Sequence, residues 1–478
     1  MAVTSSMPLS GGGDQSRLQR FRGELHDSFA EWPDALFELV DGLSQPITVE
    51  GVAHVSLAPS ARRGHGSGYA ALTHGRIDED LLRDVLAAHR PSEWGAMFAV
   101  DTTTWPRPDA RCSPGRGLYR QAHAKARHVK GHPIVAGWNL SILAAISPES
   151  STWTAPLDTR VRTVADDANL VAADQIRALT HRLNHQQPTT TTTTTGDNAT
   201  PLIVLDAGYN PALLSTELTG TPAQIAVRIR NDRNFFTRAE QPSPTHTGRP
   251  RRHGQRFRCA DPSTWPTPDD THTSDSTTYG HMNLQAWHQL HPRKPGLRDT
   301  DDRPAIIECT LIRITVERLP NGRRQPQPLW LWWTGPPTTT PDLLQVTHAY
   351  LHRFDIEHTI RFTKQTLGLT TPKIRTPEQA QRWAWLVTAA YNQLRLATTL
   401  TTDHRLPWQQ PQPATKRTPG RARTSFGHLL PTLPNPTKAP KPTTAGPGRP
   451  PGRKTTRAPR YPVQKVPKNN PPKDPKTP

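Results

Sequence analysis

The chain has 478 residues, 59 Lys and Arg against 40 Asp and Glu, and a formal net charge of +19 with its 21 His neutral, which is too basic for an ordinary metabolic enzyme. That length accommodates two or three domains, and the cation excess points to a polyanionic partner, nucleic acid first. Three well-separated cysteines, Cys112, Cys259 and Cys309, exclude a disulfide framework and any C-x-x-C motif. No run approaches ~18 apolar residues, so no transmembrane helix is expected, and the Gly/Ser-rich stretch Met1–Ser16 has no apolar segment of the secretory kind.

In chain order, residues 1–16 read as disordered. Leu18, Phe21, Leu25, Phe29 and Trp32 recur at helical spacing, Pro33 opens a second helix and Ile77–Arg90 forms a third, giving a helical unit over residues 17–93. Apolar runs then predict strands at Met97–Val100, Pro133–Ile146, Leu202–Leu205, Ile225–Ile229, Ala305–Val316 and Leu329–Trp333. Helices follow at Leu343–Leu367 and Pro377–Thr398. Seven consecutive Thr (Thr189–Thr195) mark a loop expansion, and Glu240–Asp275, dense in Pro, Thr, Arg and His, reads as poorly ordered. The order predicts an α/β, mixed-sheet core over 94–237 and 335–402, interrupted by an insertion over 238–334. Residues 403–478 carry 16 Lys/Arg against 2 Asp/Glu and 19 of the 51 Pro, leaving 43 against 38 for the rest of the chain. This basic C-terminal tail reads as disordered, because so few apolar residues cannot offset its ordering entropy.

Two apolar strands run into an Asp: Phe98-Ala99-Val100-Asp101, and Leu202-Ile203-Val204-Leu205-Asp206 followed by Ala207-Gly208-Tyr209. A carboxylate at the C-terminal edge of a buried strand is held rigidly at the sheet rim, a position suited to a metal ligand as well as to a helix cap or turn. No phosphate-binding P-loop accompanies them, since Gly448–Thr455 has the wrong spacing. Farther on, Tyr350, Arg353, Glu357, Arg361 and Lys364 share one helical stripe beside an apolar face of Ile356, Ile360 and Leu367. One acid among three cations and a phenol is a salt-bridged surface or a carboxylate ligand surrounded by phosphate-binding groups.

Tyr350, two residues, Arg353, three residues, Glu357, six residues and Lys364 match the Y-(2)-R-(3)-E-(6)-K signature of cut-and-paste DDE transposases from bacterial insertion sequences. Asp101-Thr102-Thr103 and Asp206-Ala207-Gly208-Tyr209 resemble the contexts of that family's first and second Asp, and the resemblance covers roughly Leu36–Thr398. It implies a ribonuclease-H-like core in which Asp101, Asp206 and Glu357 are catalytic and hold two Mg²⁺ ions, with Mn²⁺ able to substitute. It also implies cleavage at transposon ends followed by strand transfer into target DNA. Tyr350, Arg353 and Lys364 then bind the terminal phosphate, and Arg361 joins them by its place on the stripe. The partners implied are double-stranded DNA, as terminal inverted repeats and as target, and a second copy of the chain in the synaptic complex. The expected location is cytoplasmic and nucleoid-associated, with no membrane contact. Two other readings share these residues: an inactive or domesticated DNA-binding descendant, and a structure-specific nuclease with the same core.

Similar enzymes carry a β-rich insertion that traps a flipped base on an aromatic ring. Here the interval ends in Leu329-Trp330-Leu331-Trp332-Trp333, where a strand sets Trp330 and Trp332 on one face and Trp333 on the other. Trp332, Trp333 and Phe354 are candidate stacking residues, though core packing explains the tryptophans as well. Arg249, Arg251 and Arg252 in Gly248-Arg249-Pro250-Arg251-Arg252, and a second Gly-Arg-Pro at Gly448–Pro450, resemble AT-hooks. Arg62-Arg63 and the loop bearing His123, His128 and His132 with Lys125, Arg127 and Lys130 read as basic loops over DNA. Asp158, Asp166 and Asp167 read as solvated surface acids.

Overall fold

The computed structural model describes residues 11–120, 134–149, 151–185, 200–240, 251–299, 302–320, 322, 325–336, 340–442, 452 and 457–465. The N-terminal helices are α1 (Gly11–Asp27), α2 (Pro33–Leu43), α3 (Val52–Val55), α4 (His65–His74) and α5 (Glu79–Ala88), with a small pairing of β1 (Phe29–Glu31) and β2 (Arg76–Ile77) between them. The central strands and helices follow as β3 (Met97–Pro106), β4 (Gly117–Arg120), β5 (Ile134–Ala145), β6 (Ala155–Arg162), α6 (Ala168–His185), β7 (Leu202–Leu205), α7 (Pro211–Glu217) and β8 (Gln224–Ile229). Next come β9 (Asn234–Arg238), β10 (His253–Arg258), β11 (Asp270–Ser276), β12 (Gly280–Leu290), β13 (Cys309–Val316) and β14 (Leu329–Trp333). Helices α8 (Thr340–His352), α9 (Phe354–Gln365), α10 (Pro377–Ala397) and α11 (Pro419–Leu429) complete the order.

A ten-stranded mixed sheet runs β11-β12-β13-β14-β8-β7-β3-β5-β4, with β6 also on β5. At its centre β3, β7 and β8 are parallel and β5 is antiparallel to β3. Crossing helices between the parallel strands bury both faces, so these strands are near-continuously apolar: Phe98, Ala99, Val100, Ile203, Val204 and Leu205 are all inaccessible to solvent. The mixed α/β arrangement is consistent with a ribonuclease-H-like core. Where β3, β4 and β5 meet, Gly137 is required, because a Cβ there would collide with the Trp105 carbonyl.

The expected insertion is a continuation of this sheet. β14 pairs antiparallel with β8, from Trp330↔Ile229 to Trp333↔Ala226, and β13, β12 and β11 follow it. Without β14, β8 would be an open edge of unpaired backbone groups. Part of Glu240–Asp275, expected to be poorly ordered, supplies β10 and most of β11, while residues 241–250 lie outside the described residues. Its few aromatic residues compensate: Phe257 and Trp265 pack with Trp287 and Trp330 in a satellite cluster, ring centroids 5.2–6.0 Å apart.

The helical unit shares its core with the sheet layers through α10. Arg22, 1% exposed, pairs with Asp41 at 2.5 Å and donates to Gln393 Oε1 on α10 at 2.8 Å, and Gln393 Nε2 donates back to Asp41, a buried network joining the helical unit to α10. Arg62 and Arg63, expected over DNA, are instead ion-paired with Glu38 and Asp34, and Arg62 also donates to Thr437.

The tail departs most from expectation. Residues 403–442 are described, and α11 packs on α10 with Ala422 and Phe426 fully buried. Arg423 donates to the carbonyls of Leu43 (3.0 Å) and Ile47 (2.8 Å). Composition averaged over the whole tail hides this short amphipathic helix, capped by Thr418 and started by Pro419. Farther along, Arg457–Lys465 lies beside β4. Phe426→Ala is expected to cost about 3–5 kcal/mol in urea unfolding; a change under about 0.5 kcal/mol would show that α11 is undocked.

Candidate functional site

Asp101 and Asp206 become neighbours through strand register. β3 and β7 are paired in parallel up to Val100↔Leu205, so the next residue on each chain brings the two Asp side by side at about 5 Å between backbones. Asp206 follows the end of its strand as expected. Asp101 differs: β3 runs on to Pro106 because β5 continues to pair with it, so Asp101 sits at the point where β3 loses only its β7 partner.

Glu357 arrives on α9. The single helix expected over Leu343–Leu367 is broken at Arg353, where amide bonds shift to three-residue spacing: Arg353 N–H donates to Tyr350 O (3.2 Å) and Ile356 N–H to Arg353 O (3.1 Å). The break turns Arg353 into the sheet. Its side chain is 4% exposed, and the guanidinium donates from Nη1 to Asp101 Oδ2 and from Nη2 to Glu357 Oε1, both at 3.1 Å. One cation, 252 residues from Asp101 in sequence, therefore ties the first acid to the third.

The electrostatics follow from this crowding. Burial pushes the Asp101 carboxyl up to about 6; Arg353 and the Thr102 N–H pull it down, while Glu357 and Asp206 raise it further. Burial works against the charged Arg353, yet Asp101, Tyr350, Asp206 and Glu357 outweigh it and raise its pKa. Lys364 is lowered by burial; its Nζ donates to Thr103 Oγ1 (3.1 Å) and Thr104 O (3.3 Å). These threonines were missed as functional positions, although the unbroken Asp101-Thr102-Thr103-Thr104 run was the available signal. The guanidinium also lies against the Tyr350 ring (5.7 Å) and the Phe354 ring (5.2 Å).

Among the described residues, the buried donors Tyr350 Oη and Arg353 Nε have no hydrogen-bond partner, an arrangement that costs stability unless a ligand completes it.

Among the described residues, no group of three or more His, Cys, Asp or Glu is gathered closely enough to hold a metal ion; the Arg353 guanidinium lies between Asp101 and Glu357. The donor chemistry nevertheless fits a hard divalent cation: three carboxylates, one with its ionised form disfavoured by burial and by its neighbours, matched against a single paired arginine.

The other sequence candidates separate clearly. Phe354 is 48% exposed beside Arg353, whereas Trp332 and Trp333 are each 1% exposed. Their indole N–H groups donate to Ser215 Oγ (3.1 Å) and Gln224 Oε1 (3.2 Å), and neither ring has a face open to a base. Arg361 is exposed. Arg251 is exposed, and Arg252 pairs with Asp299 at 2.5 Å. Arg249, the second Gly-Arg-Pro and the His123–His132 loop lie outside the described residues. Asp158, expected at the surface, is buried between Arg83 (3.2 Å) and Arg160 (3.0 Å).

A carboxylate-bearing sheet centre of this kind defines a nucleic-acid endonuclease of the DDE class. The chain belongs to the DDE superfamily endonucleases, whose family pattern matches residues 20–293. That span includes Asp101 and Asp206; Glu357 lies beyond it and is joined to Asp101 by Arg353. No curated protein matches the chain. Membership makes DNA the substrate class and nuclease or transposase-like chemistry the activity class. Among the described residues, no helix is long and apolar enough to cross a membrane.

Proposed function

We propose that the protein is an insertion-sequence transposase of the Y-R-E-K type, cutting DNA at transposon ends and joining the freed 3′ ends to target DNA. The observation that supports this reading best is the Arg353 bridge from Asp101 to Glu357, with Asp206 beside Asp101 in register. It brings the three acids of the resemblance to one place, although they come from three separate segments.

In this reading Asp101, Asp206 and Glu357 hold two divalent cations, Mg²⁺ or Mn²⁺ in its place, which when bound supply charge neutralisation at the attacking and leaving oxygens of an in-line phosphoryl displacement. The chain's own groups position the DNA. Tyr350 Oη and Arg353 Nε, buried donors without a partner among the described residues, point to a phosphate oxygen as their missing acceptor. Lys364 is held by Thr103 and Thr104 on the strand that carries Asp101, so its charge is fixed relative to that acid. Phe354 offers the one open aromatic face among the candidate stacking residues, and its replacement by Ala is expected to leave stability within about 1 kcal/mol while lowering end cleavage. The same site serves cleavage and joining in turn, and two ends require a homodimer in the synaptic complex.

Strand transfer separates this reading from a structure-specific nuclease. A pre-nicked terminal-repeat duplex with a free 3′-hydroxyl, incubated with supercoiled plasmid and Mg²⁺, is expected to yield covalently joined products. Cleavage of end duplexes without any joining would favour the nuclease.

A further inference from the structure

The basic tail bears on a second surface. Among the described residues, β4 ends one side of the ten-stranded sheet, and the Arg457–Lys465 segment meets it through a parallel bridge at Gln464↔Gly117 and meets the preceding loop at Arg111. The backbone contacts are regular: Leu118 N–H donates to Gln464 O (3.2 Å), Gln464 N–H to Arg116 O (3.0 Å) and Tyr461 N–H to Arg111 O (2.8 Å). Arg116, 2% exposed, fastens the segment from beneath by donating from Nη2 to Tyr461 O (3.1 Å). Edge strands invite pairing, and here the chain supplies its own partner.

Docking aligns cations that are more than 300 residues apart in sequence. Arg111 and Arg120 from the β4 region, with Arg457, Arg460 and Lys465 from the tail, are all exposed, and among the described residues none of the five is ion-paired. Asp109 is the single acid in either stretch. A charge run is ordinarily a solvated face, but here the tail cations flank Tyr461 and Gln464, whose backbones are bonded to the β4 region, which removes part of the entropy that a free polycation loses on binding. The segment from Arg457 to Lys465 spans about 26 Å when extended, a length over which duplex DNA carries roughly 15 phosphate charges.

We infer that this augmented sheet edge is a docking strip for the phosphate backbone of duplex DNA, built when the tail pairs with β4. The inference extends the transposase reading by adding a contact surface outside the acid cluster, and the strip's contacts are independent of sequence.

The test uses the full chain and a 30-base-pair duplex of arbitrary sequence, titrated at several salt concentrations. Gln464→Pro removes one strap hydrogen bond and opposes the pairing while keeping every charge. It is expected to weaken binding about tenfold or more and to flatten the salt slope by about 2–3, since each phosphate contact contributes about 0.9. Arg120→Gln, which leaves the tail intact, is expected to flatten the slope by about 1. A triple Arg457→Gln, Arg460→Gln, Lys465→Gln variant should match Gln464→Pro. If Gln464→Pro binds like the parent while the triple variant is weak, the tail acts as a free polycation and the strip is rejected. If all variants bind like the parent, the edge makes no DNA contact and the inference is equally rejected. Mg²⁺-dependent cleavage at saturating DNA, measured in parallel, should persist in every variant; absence of cleavage in the parent would count against the transposase reading and leave the strip's test standing.

Discussion

Arg353→Ala is expected to destabilise the metal-free protein by about 3–5 kcal/mol, the usual consequence of removing one partner from a buried ion pair. The guanidinium is 4% exposed and is the hydrogen-bonded counter-charge for Asp101, whose side chain is 19% exposed. Its loss leaves Asp101, Asp206 and Glu357 facing one another without that cation. Urea unfolding at pH 7.5 in EDTA measures this, and a loss below about 1 kcal/mol would show that the bridge does not hold the acids together. Added Mg²⁺ should restore part of the stability, because a cation that binds the folded state alone stabilises it by mass action. Cleavage should remain impaired even with Mg²⁺, since the variant also lacks the Nε donor.

The acids are expected to behave in the opposite sense. The folded-state pKa of Asp101 is raised from 3.8 to about 6. The stability contributed by its neutral form is therefore fully present below about pH 3.8 and lost as pH rises through about 6. Ionisation at pH 7.5 then costs the metal-free fold about 2–3 kcal/mol, at about 1.4 kcal/mol per pKa unit. Asp101→Asn abolishes that titration. The stability of the variant minus that of the parent, both in EDTA, should grow by about 2 kcal/mol between pH 4.5 and 7.5. A difference that stays flat or shrinks would contradict the placement of Asp101. The variant should also lose cleavage by ~10³-fold or more, about 4 kcal/mol of barrier. A stability difference that moves in the variant's favour as pH rises, together with lost cleavage, distinguishes a functional acid cluster from a structural one.

Much of the central sheet was legible because its strands are short apolar runs with abrupt polar ends: Leu202–Leu205 and Leu329–Trp333 fall where their composition puts them. What periodicity could not supply was pairing. Nothing local reveals that β14 would complete β8, or that β3 would run past Asp101 because β5 stays beside it. The break at Arg353 was invisible for a related reason: the helical pattern continues on both sides, and one of the two carboxylates that hold the arginine, Asp101, comes from a distant strand. The tail was misread through averaging, since its net charge and Pro content describe the whole and conceal Ala422, Phe426 and the residues that pair with β4. Burial decided the tryptophans. Trp332 and Trp333 alternate across the strand as spacing predicts, and both faces are covered.

Cleavage of a duplex bearing the element's own terminal repeat, by the full chain in Mg²⁺ or in EDTA and beside Asp206→Asn, tests the central claim most directly. The account predicts a nick that leaves a 3′-hydroxyl at the repeat boundary in Mg²⁺ alone, and no nick with Asp206→Asn despite equal DNA binding. Cleavage that persists in EDTA, or that Asp206→Asn leaves unchanged, would contradict it.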